Sequence, residues 1–192
     1  MMASAFGHIA VAYALGKSIR PVFRTTRFWL CAFFCCLLPD ADVIGFFLGI
    51  PYEHVLGHRG LTHSLFFAGI MGILVPRLAV PGLALRSRSY GVLAIFFFGV
   101  TMSHGVLDAM TNGGLGIAFF APFDSSRYFF PWRPITVSPI GLSSFFSEWG
   151  LGVLWSELFW IGMPVGLWLG VLQLNSWLKN TMAHVKSSEG MD

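Results

Sequence analysis

The sequence predicts an all-α protein, a polytopic membrane helix bundle of about four to five helices, some short or re-entrant, with one long extracytoplasmic loop. Hydrophobic residues make up 55% of its 192 residues and charged residues only 11%, whereas a soluble domain carries about a quarter charged residues. Several stretches without charged residues approach the ~20 residues that a spanning helix needs. Because backbone groups in lipid must be bonded within the segment, these stretches are expected to be helices.

The first two apolar segments are short. Residues 3–16 are predicted as an apolar helix that is short or re-entrant, and a second helix runs from Phe28 to Leu38. Pro39 disfavours helical geometry at the residue before it, so the second helix should break at Leu38. The following apolar stretch, VIGFFLGIPY, suits an interfacial or re-entrant segment. The cysteines, all in the second helix region, are expected to be small buried side chains.

The strongest spanning candidates come later in the chain. They are Leu61–Pro76, which continues towards Leu85, then Ser89–Leu107 and Leu158–Leu178. Between the last two, the stretch 111–147 is rich in Gly, Pro, Ser and aromatic residues and is predicted as a structured extracytoplasmic loop. Residues 180–192 are predicted as a polar cytoplasmic tail. The whole chain, 1–192, is therefore interpreted as a single integral membrane domain.

Basic residues predict the orientation of the bundle. If the helices alternate, nine basic residues fall on one side and Arg59, Arg127 and Arg133 on the other. The positive-inside rule places the nine in the cytoplasm and the N-terminus outside, in the cytoplasmic membrane of a bacterium. The formal net charge of +3 is thereby explained by loop orientation, and no nucleic-acid partner is predicted. The nine are Lys17, Arg20, Arg24, Arg27, Arg77, Arg86, Arg88, Lys179 and Lys186.

This orientation gathers histidines and aspartates at the outer ends of the helices. Ionisable groups at membrane depth are rare and usually functional, and these acids have no lysine nearby. We therefore predict that seven of them bind a divalent metal. They are His8, Asp40 and Asp42 in LPDAD, His58 and His63 in HRGLTH, and His104 and Asp108 in SHGVLD.

Spacing supports that interpretation for each motif. His104 and Asp108 share one helix face at i, i+4, and His63 would lie in the first turn of the third helix with Thr62 as its N-cap. An extended chain after Pro39 would direct both aspartates of LPDAD to one side. Imidazole and carboxylate ligands suit zinc above all, and also manganese or iron.

Seven donors exceed the three protein ligands of a catalytic zinc site. They fit two metals better, with Asp40 or Asp108 as the bridge. A simpler interpretation stays open for each motif alone: a histidine at a helix end is usually interfacial or hydrogen-bonded, and the aspartate pair could be a helix-breaking turn. The sequence leaves the number of metals and the oligomeric state open.

The motifs together resemble the YdjM-like bacterial inner-membrane proteins, described as membrane-bound metal-dependent hydrolases. The resemblance rests on His8, LPDAD, HRGLTHS and HGVLD, which cover residues 8 to about 114, and on PFDSSRYFFPWRPI in the later loop. It implies hydrolase-like metal chemistry but supplies no substrate. More loosely, an H-x-x-x-D pair in a helical cluster is similar to zinc-dependent phospholipase C and nuclease P1-type enzymes.

The predicted function is metal-dependent hydrolysis of a phosphoester or lipid-linked substrate at the outer membrane interface. Arg59 and Asp42 are the predicted catalytic residues, and Arg59, Arg127 and Arg133 are predicted to bind an anionic substrate. For the last two arginines, snorkelling to lipid headgroups is an equally good explanation. Two alternatives remain: a divalent-metal transporter or sensor, and a structural metal that joins the helices without catalysis.

Overall fold

The computed structural model describes residues 2–139 and 146–189, with the side chains of the last helix described as far as residue 183. Over these residues the protein is an all-helical bundle with only isolated β-bridges. This architecture confirms the predicted fold class. The helices, in chain order, are α1 (Ala5–Lys17), α2 (Thr26–Leu37), α3 (Ile44–Phe47), α4 (Leu65–Ala79), α5 (Arg88–Ala109), α6 (Glu148–Glu157) and α7 (Met163–Glu189).

Three stretches among the described residues are long and apolar enough to cross a membrane. They are Thr26–Phe47, Arg88–Ala109 and Glu148–Ala183, while Leu65–Ala79 is apolar but shorter. The last stretch begins ten residues earlier than the predicted Leu158 because one π-turn, Leu158–Gly162, joins α6 to α7 without a break. The helix also continues to Glu189, into the predicted polar tail; residues 190–192 lie outside the described part.

Aromatic and small residues form the core where α1, α2, α4 and α5 meet. Phe28 is fully buried and stacks on Phe96 of α5, with ring centroids 4.9 Å apart. Cys35 and Cys36 are buried in the same cluster, as predicted, and Cys31 is partly buried. These packed helices give α5, which carries two of the predicted ligands, a rigid position.

The break after α2 occurs where Pro39 predicts it. Leu38–Val43 is a 3₁₀ helix rather than the extended chain predicted for LPDAD. With three residues per turn, a 3₁₀ helix rotates residues i and i+2 well apart. The predicted extended geometry is therefore wrong, although both carboxylates lie beside the His63 ring, with Asp40 Oδ1 3.8 Å from Nε2 and Asp42 Oδ2 3.2 Å from Nδ1.

The segment before α4 also differs from the prediction. Ser64, not Thr62, is the N-cap of α4, and its hydroxyl accepts a hydrogen bond from the Phe67 N–H at 3.1 Å. His63 lies just before the helix, in the 3₁₀ turn Leu61–His63. The reason is that the Thr62 hydroxyl donates to Asp42 at 2.8 Å and is used there.

The predicted loop 111–147 folds over the end of the bundle at which α5 ends, as far as the loop is described; its residues 140–145 lie outside the described part. Ile117 and Ile135 are fully buried, and bridges pair Thr111 with Ile135 and Ile117 with Tyr128. The Ala118 N–H donates to the Arg59 carbonyl at 3.0 Å. The loop thus covers the segment that carries His58, Arg59 and His63.

Candidate metal centre

Three segments of chain bring four of the predicted ligands together. Asp40 comes from the 3₁₀ helix after α2, His63 from the turn before α4, and His104 and Asp108 from one face of α5. One donor atom of each lies within 4.8 Å of the other three. We call this group the four-donor cluster.

The donor atoms are spaced as ligands of one ion would be. His104 Nε2 lies 3.2 Å from Asp40 Oδ1 and 3.9 Å from Asp108 Oδ2. His63 Nε2 lies 3.8 Å from Asp40 Oδ1 and 3.6 Å from Asp108 Oδ2. Ligands about 2.1 Å from a tetrahedral metal stand roughly 3.4 Å apart. The observed separations bracket that value.

Two of the four donor atoms have no hydrogen-bond partner among the described residues, although Arg59 forms an ion pair with one of them. His63 Nε2 and Asp108 Oδ2 are buried and make no hydrogen bond, which is rare for buried polar atoms in a finished protein interior. Burial by itself lowers the pKa of His63, but the carboxylates of Asp108, Asp40 and Asp42 raise that pKa well above its usual value. The cluster thus favours a positive charge at its centre, and its imidazole and carboxylate donors fit zinc, manganese or iron.

The tautomer of His104 is fixed by the backbone of α2. Its Nδ1–H donates to the Cys36 carbonyl at 2.7 Å, which leaves the lone pair of Nε2 directed at Asp40 and Asp108. Metal-binding histidines usually have such a hydrogen bond on the nitrogen away from the metal. The break of α2 near Leu38 frees this carbonyl for the contact, since a continuous helix would have used it.

Asp42 lies beside the cluster rather than in it. Its carboxylate accepts hydrogen bonds from His58 Nδ1 at 2.6 Å, from Thr62 Oγ1 at 2.8 Å and from the Arg59 N–H at 3.0 Å. His63 Nδ1 is 3.2 Å from the same carboxylate. These contacts orient His63 and hold the HRGLTH segment against the 3₁₀ helix, so the geometry makes Asp42 a positioning residue. Its predicted catalytic role stays a prediction.

Arg59 is fully buried with its guanidinium used by protein groups. Its Nε lies 3.2 Å from Asp108 Oδ2, and its two terminal nitrogens donate to the Gly113 carbonyl and to Thr111 Oγ1, both at 2.9 Å. Its backbone has φ of +63°, a left-handed conformation that is uncommon outside glycine. Arg59 thus ties Asp108 to the covering loop, and its predicted contact with substrate stays a prediction.

The remaining two predicted ligands surround the cluster. The His8 ring stacks on the His104 ring at 3.7 Å, and its Nε2 lies 3.6 Å from Asp108 Oδ1. His58 is fully buried, with its Nε2 unpartnered and its ring centroid 5.7 Å from that of His63. All seven predicted ligands therefore lie in one neighbourhood, and four of them form the group that one ion would join. The second metal remains a prediction.

The two arginines of the covering loop make contacts away from the cluster. Arg127 donates to the carbonyls of Tyr52 and His58, at 2.8 and 3.0 Å. The guanidinium of Arg133 lies 4.5 Å from the centre of the Phe129 ring. Arg127 thus holds the segment that precedes HRGLTH, and the predicted substrate contacts of both residues stay predictions.

One buried contact near the cluster lay outside the sequence-based prediction. Glu157, in the last spanning stretch, is 5% exposed and accepts hydrogen bonds from the N–H and the hydroxyl of Ser4, both at 2.5 Å. The neighbouring Ala3 N–H donates to Asp108 Oδ1 at 2.7 Å. The N-terminal residues thus link a carboxylate of the last helix to a ligand on α5. The available signal was a single acid inside an apolar stretch.

Comparisons with known proteins identify the family of this chain. The family model described as "YdjM inner membrane protein" matches residues 2–178. The chain is 35% identical over 173 residues to the inner membrane protein YbcI of Escherichia coli (strain K12), an alignment that covers 89% of this chain and 97% of YbcI. No solved structure matches the chain. This chain therefore belongs to the YdjM family of inner membrane proteins.

Proposed function

We propose that this protein is a membrane-bound metal-dependent hydrolase that acts on a phosphoester or lipid-linked substrate at the outer interface of the inner membrane. The observation that carries the proposal is the four-donor cluster, which includes two buried atoms that make no hydrogen bond among the described residues. The chain crosses the membrane several times in this proposal, with the cluster towards the extracytoplasmic side. Zinc is the proposed metal, with manganese or iron as alternatives.

The cluster has one exposed edge. The side chains of His63, His104 and Asp108 have no accessible surface, whereas that of Asp40 is 17% exposed. Beyond Asp40, the chain continues into α3 and the turn after it, where Phe47 is 89% exposed and Leu48 is 72% exposed. Exposed apolar side chains seven and eight residues along the chain from Asp40 favour a substrate that is itself in the bilayer. A lipid phosphoester would meet the cluster there without leaving the membrane surface.

Within this proposal, the chain's own residues bind, orient and transfer protons. Asp40, His63, His104 and Asp108 hold the cation, which supplies polarisation of a phosphoryl or acyl oxygen and makes water more acidic. Asp42 and Arg59 fix the orientation of His63 and Asp108. The buried centre excludes bulk water on every side except that of Asp40.

We assign proton transfer to His58. Asp42 accepts a hydrogen bond from its Nδ1–H at 2.6 Å, and its Nε2 has no hydrogen-bond partner among the described residues. A histidine held by a carboxylate in this way can give or take a proton through its free nitrogen. Replacing His58 by glutamine should leave the bound metal in place and reduce turnover by about 10²-fold or more. Equal loss of metal and turnover would instead make His58 a ligand.

The first test measures metal content and turnover on the full-length protein in detergent. His63→Ala should remove both the metal and the hydrolysis of lipid phosphoesters, while His54→Ala, at an exposed histidine of the same region, should retain both. Removal of the metal by a chelator should abolish hydrolysis, and zinc, manganese or iron should restore it. Tightly bound metal without hydrolysis in a screen of phosphodiesters and lipid phosphates would refute the proposal and favour a structural metal. Metal flux in liposomes would favour transport.

A further inference from the structure

A second polar feature lies at the opposite, basic end of the bundle. A cleft of about 440 Å³ opens between α1, the linker after it and α7. We call it the basic cleft. Its walls are Tyr13, Lys17, Arg24, Leu169, Leu172, Gln173 and Ser176.

The positive charge of the basic cleft is not balanced by the protein. Lys17 lies 5.2 Å from the centre of the Tyr13 ring, and neither Lys17 nor Arg24 pairs with a carboxylate in the described part of the chain. The sequence explains why: the first acidic residue of the chain is Asp40, and none lies between Glu157 and Glu189. Two unpaired cations at one cleft attract an anion.

The other walls of the cleft are suited to an amphipathic ligand. Leu169 and Leu172 are half-buried and form an apolar side, and Gln173 and Ser176 add hydrogen-bonding groups. The adjoining face of α7 is exposed and apolar, with Leu167 71% exposed and Val171 50% exposed. A lipid lying along that face would bring its headgroup to the mouth of the cleft. A soluble anion would leave the apolar wall unused.

We propose that the basic cleft binds the headgroup of an anionic glycerophospholipid. Lys17 and Arg24 pair with the phosphodiester, Gln173 and Ser176 hydrogen-bond the polar headgroup, and the first part of an acyl chain lies against Leu169 and Leu172. Basic pockets between membrane helices are typical sites for such headgroups. The lipid would join α1 to α7, which have few other polar contacts at this end; one is the hydrogen bond from Trp168 Nε1 to Ser18 Oγ at 3.1 Å. This proposal is independent of the hydrolase activity.

The experiment measures lipid binding to the full-length, delipidated protein by native mass spectrometry and by the shift in Tm. The probes are phosphatidylglycerol, phosphatidylcholine, glycerol 1-phosphate and inorganic phosphate. Phosphatidylglycerol should bind and raise Tm, and the double variant Lys17→Gln/Arg24→Gln should weaken that binding by roughly 30-fold, given the usual contribution of two basic residues near a lipid surface. The matched control is Arg77→Gln/Arg86→Gln, which removes two exposed charges outside the cleft, and it should bind normally.

Three results would overturn the proposal. If both double variants bound phosphatidylglycerol equally weakly, the effect would be one of general surface charge. If phosphatidylcholine bound as well as phosphatidylglycerol, the net charge of the headgroup would have no role. Displacement of the lipid by phosphate or glycerol 1-phosphate at comparable concentrations would assign the cleft to a soluble anion. If the glutamine variant fails to fold, Lys17→Arg/Arg24→Lys, which keeps both charges, should still bind phosphatidylglycerol. Leu169→Gln should weaken the binding of phosphatidylglycerol but not any binding of inorganic phosphate.

Discussion

Helix α5 and the last spanning stretch are both long and apolar, yet they take opposite places in the molecule. In the most apolar window of Arg88–Ala109, 44% of residues are buried, against 11% in Glu148–Ala183. α5 packs against α1, α2 and α4, whereas the last stretch mainly contacts α1. Hydrophobicity thus identifies segments that can span a membrane, but packing decides which segment can hold polar groups at fixed distances.

The polar groups follow that difference. α5 contributes His104 and Asp108 to the four-donor cluster, and both are fully buried. The last stretch contributes one buried carboxylate, Glu157, which is linked to the cluster through Ser4 and Ala3. We therefore expect substitutions near α5 to have large effects and those in the last stretch to have small ones.

The largest expected effect is that of Arg59→Met. The change leaves the Asp108 carboxylate buried without its cationic partner at 3.2 Å, and breaking a buried ion pair from one side usually costs about 3–5 kcal/mol. The free energy of unfolding, measured by denaturant titration in mixed micelles, should fall by that amount. Arg133→Met, which removes only a contact with the Phe129 ring, should change it by about 1 kcal/mol or less. Similar losses for the two variants would contradict the assigned role of Arg59.

The next effect concerns metal affinity. Asp108→Asn removes a charged donor from the four-donor cluster while keeping the shape of the side chain. Loss of a residue that only supports a ligand costs about 10–100-fold in metal affinity, so loss of a ligand should cost more than 100-fold. Asp42→Asn should fall within the smaller range because Asp42 lies outside the four-donor cluster and orients His63. Competition with a fluorescent chelator gives the metal dissociation constant of each variant. A larger loss of metal affinity in Asp42→Asn than in Asp108→Asn would mean that Asp42 is the ligand and Asp108 the supporting residue.

Smaller losses of stability and metal affinity are expected for a substitution of Glu157, the buried acid of the last stretch. Glu157→Gln replaces one acceptor oxygen by an amide group, which is a donor and faces a donor of Ser4. The change therefore removes a charge-assisted hydrogen bond worth about 1.5–3 kcal/mol. Unfolding free energy should fall accordingly, and metal affinity should fall by no more than about 10-fold, the lower end of the effect of a supporting residue. Ser4→Ala should not add to the Glu157→Gln loss, since both remove the same contact. Full additivity would show that they act separately.

The sequence predicted the fold and the neighbourhood of the site because both depend on local pattern. Charge-free stretches of the right length identified the helices, and the i, i+4 spacing of His104 and Asp108 placed two ligands on one face. It could not separate ligands from supporting residues. Asp40 and Asp42 are two residues apart and chemically identical, and only the 3₁₀ geometry of Leu38–Val43 directs the first to the cluster and the second to His58.

Other features depended on contacts between distant parts of the chain. Glu157 pairs with Ser4 across 153 positions, and no local pattern connects them. The role of Arg59 was also hidden, because a cation between two predicted ligands suggests contact with an anionic substrate. Its burial and its three protein partners follow from the covering loop, whose path the sequence does not specify.

The smallest and most direct test of the two regions uses glycines. A Cβ at Gly72 of α4 would lie 2.8 Å from the Ala94 carbonyl oxygen and 3.0 Å from Phe98 Cβ, whereas a Cβ at Gly170 of α7 would meet nothing within 4 Å. Gly72→Ala should therefore push α4 from α5 and destabilise the protein by about 1–3 kcal/mol. Gly170→Ala should instead stabilise it by about 0.5–1 kcal/mol, through the lower helix propensity of glycine.

The signs of the two changes in unfolding free energy can be compared directly, because both substitutions add the same methyl group to a membrane helix. Small residues allow close approach of helices in lipid, where packing rather than water drives association. Opposite signs in the unfolding titration would mean that α4 and α5 form a tightly packed unit while α7 is open to lipid at this position. If Gly170→Ala lowered the free energy of unfolding as much as Gly72→Ala, another surface, such as a second copy of the chain, would have to pack against α7. The contrast between the two regions would then describe the single chain only.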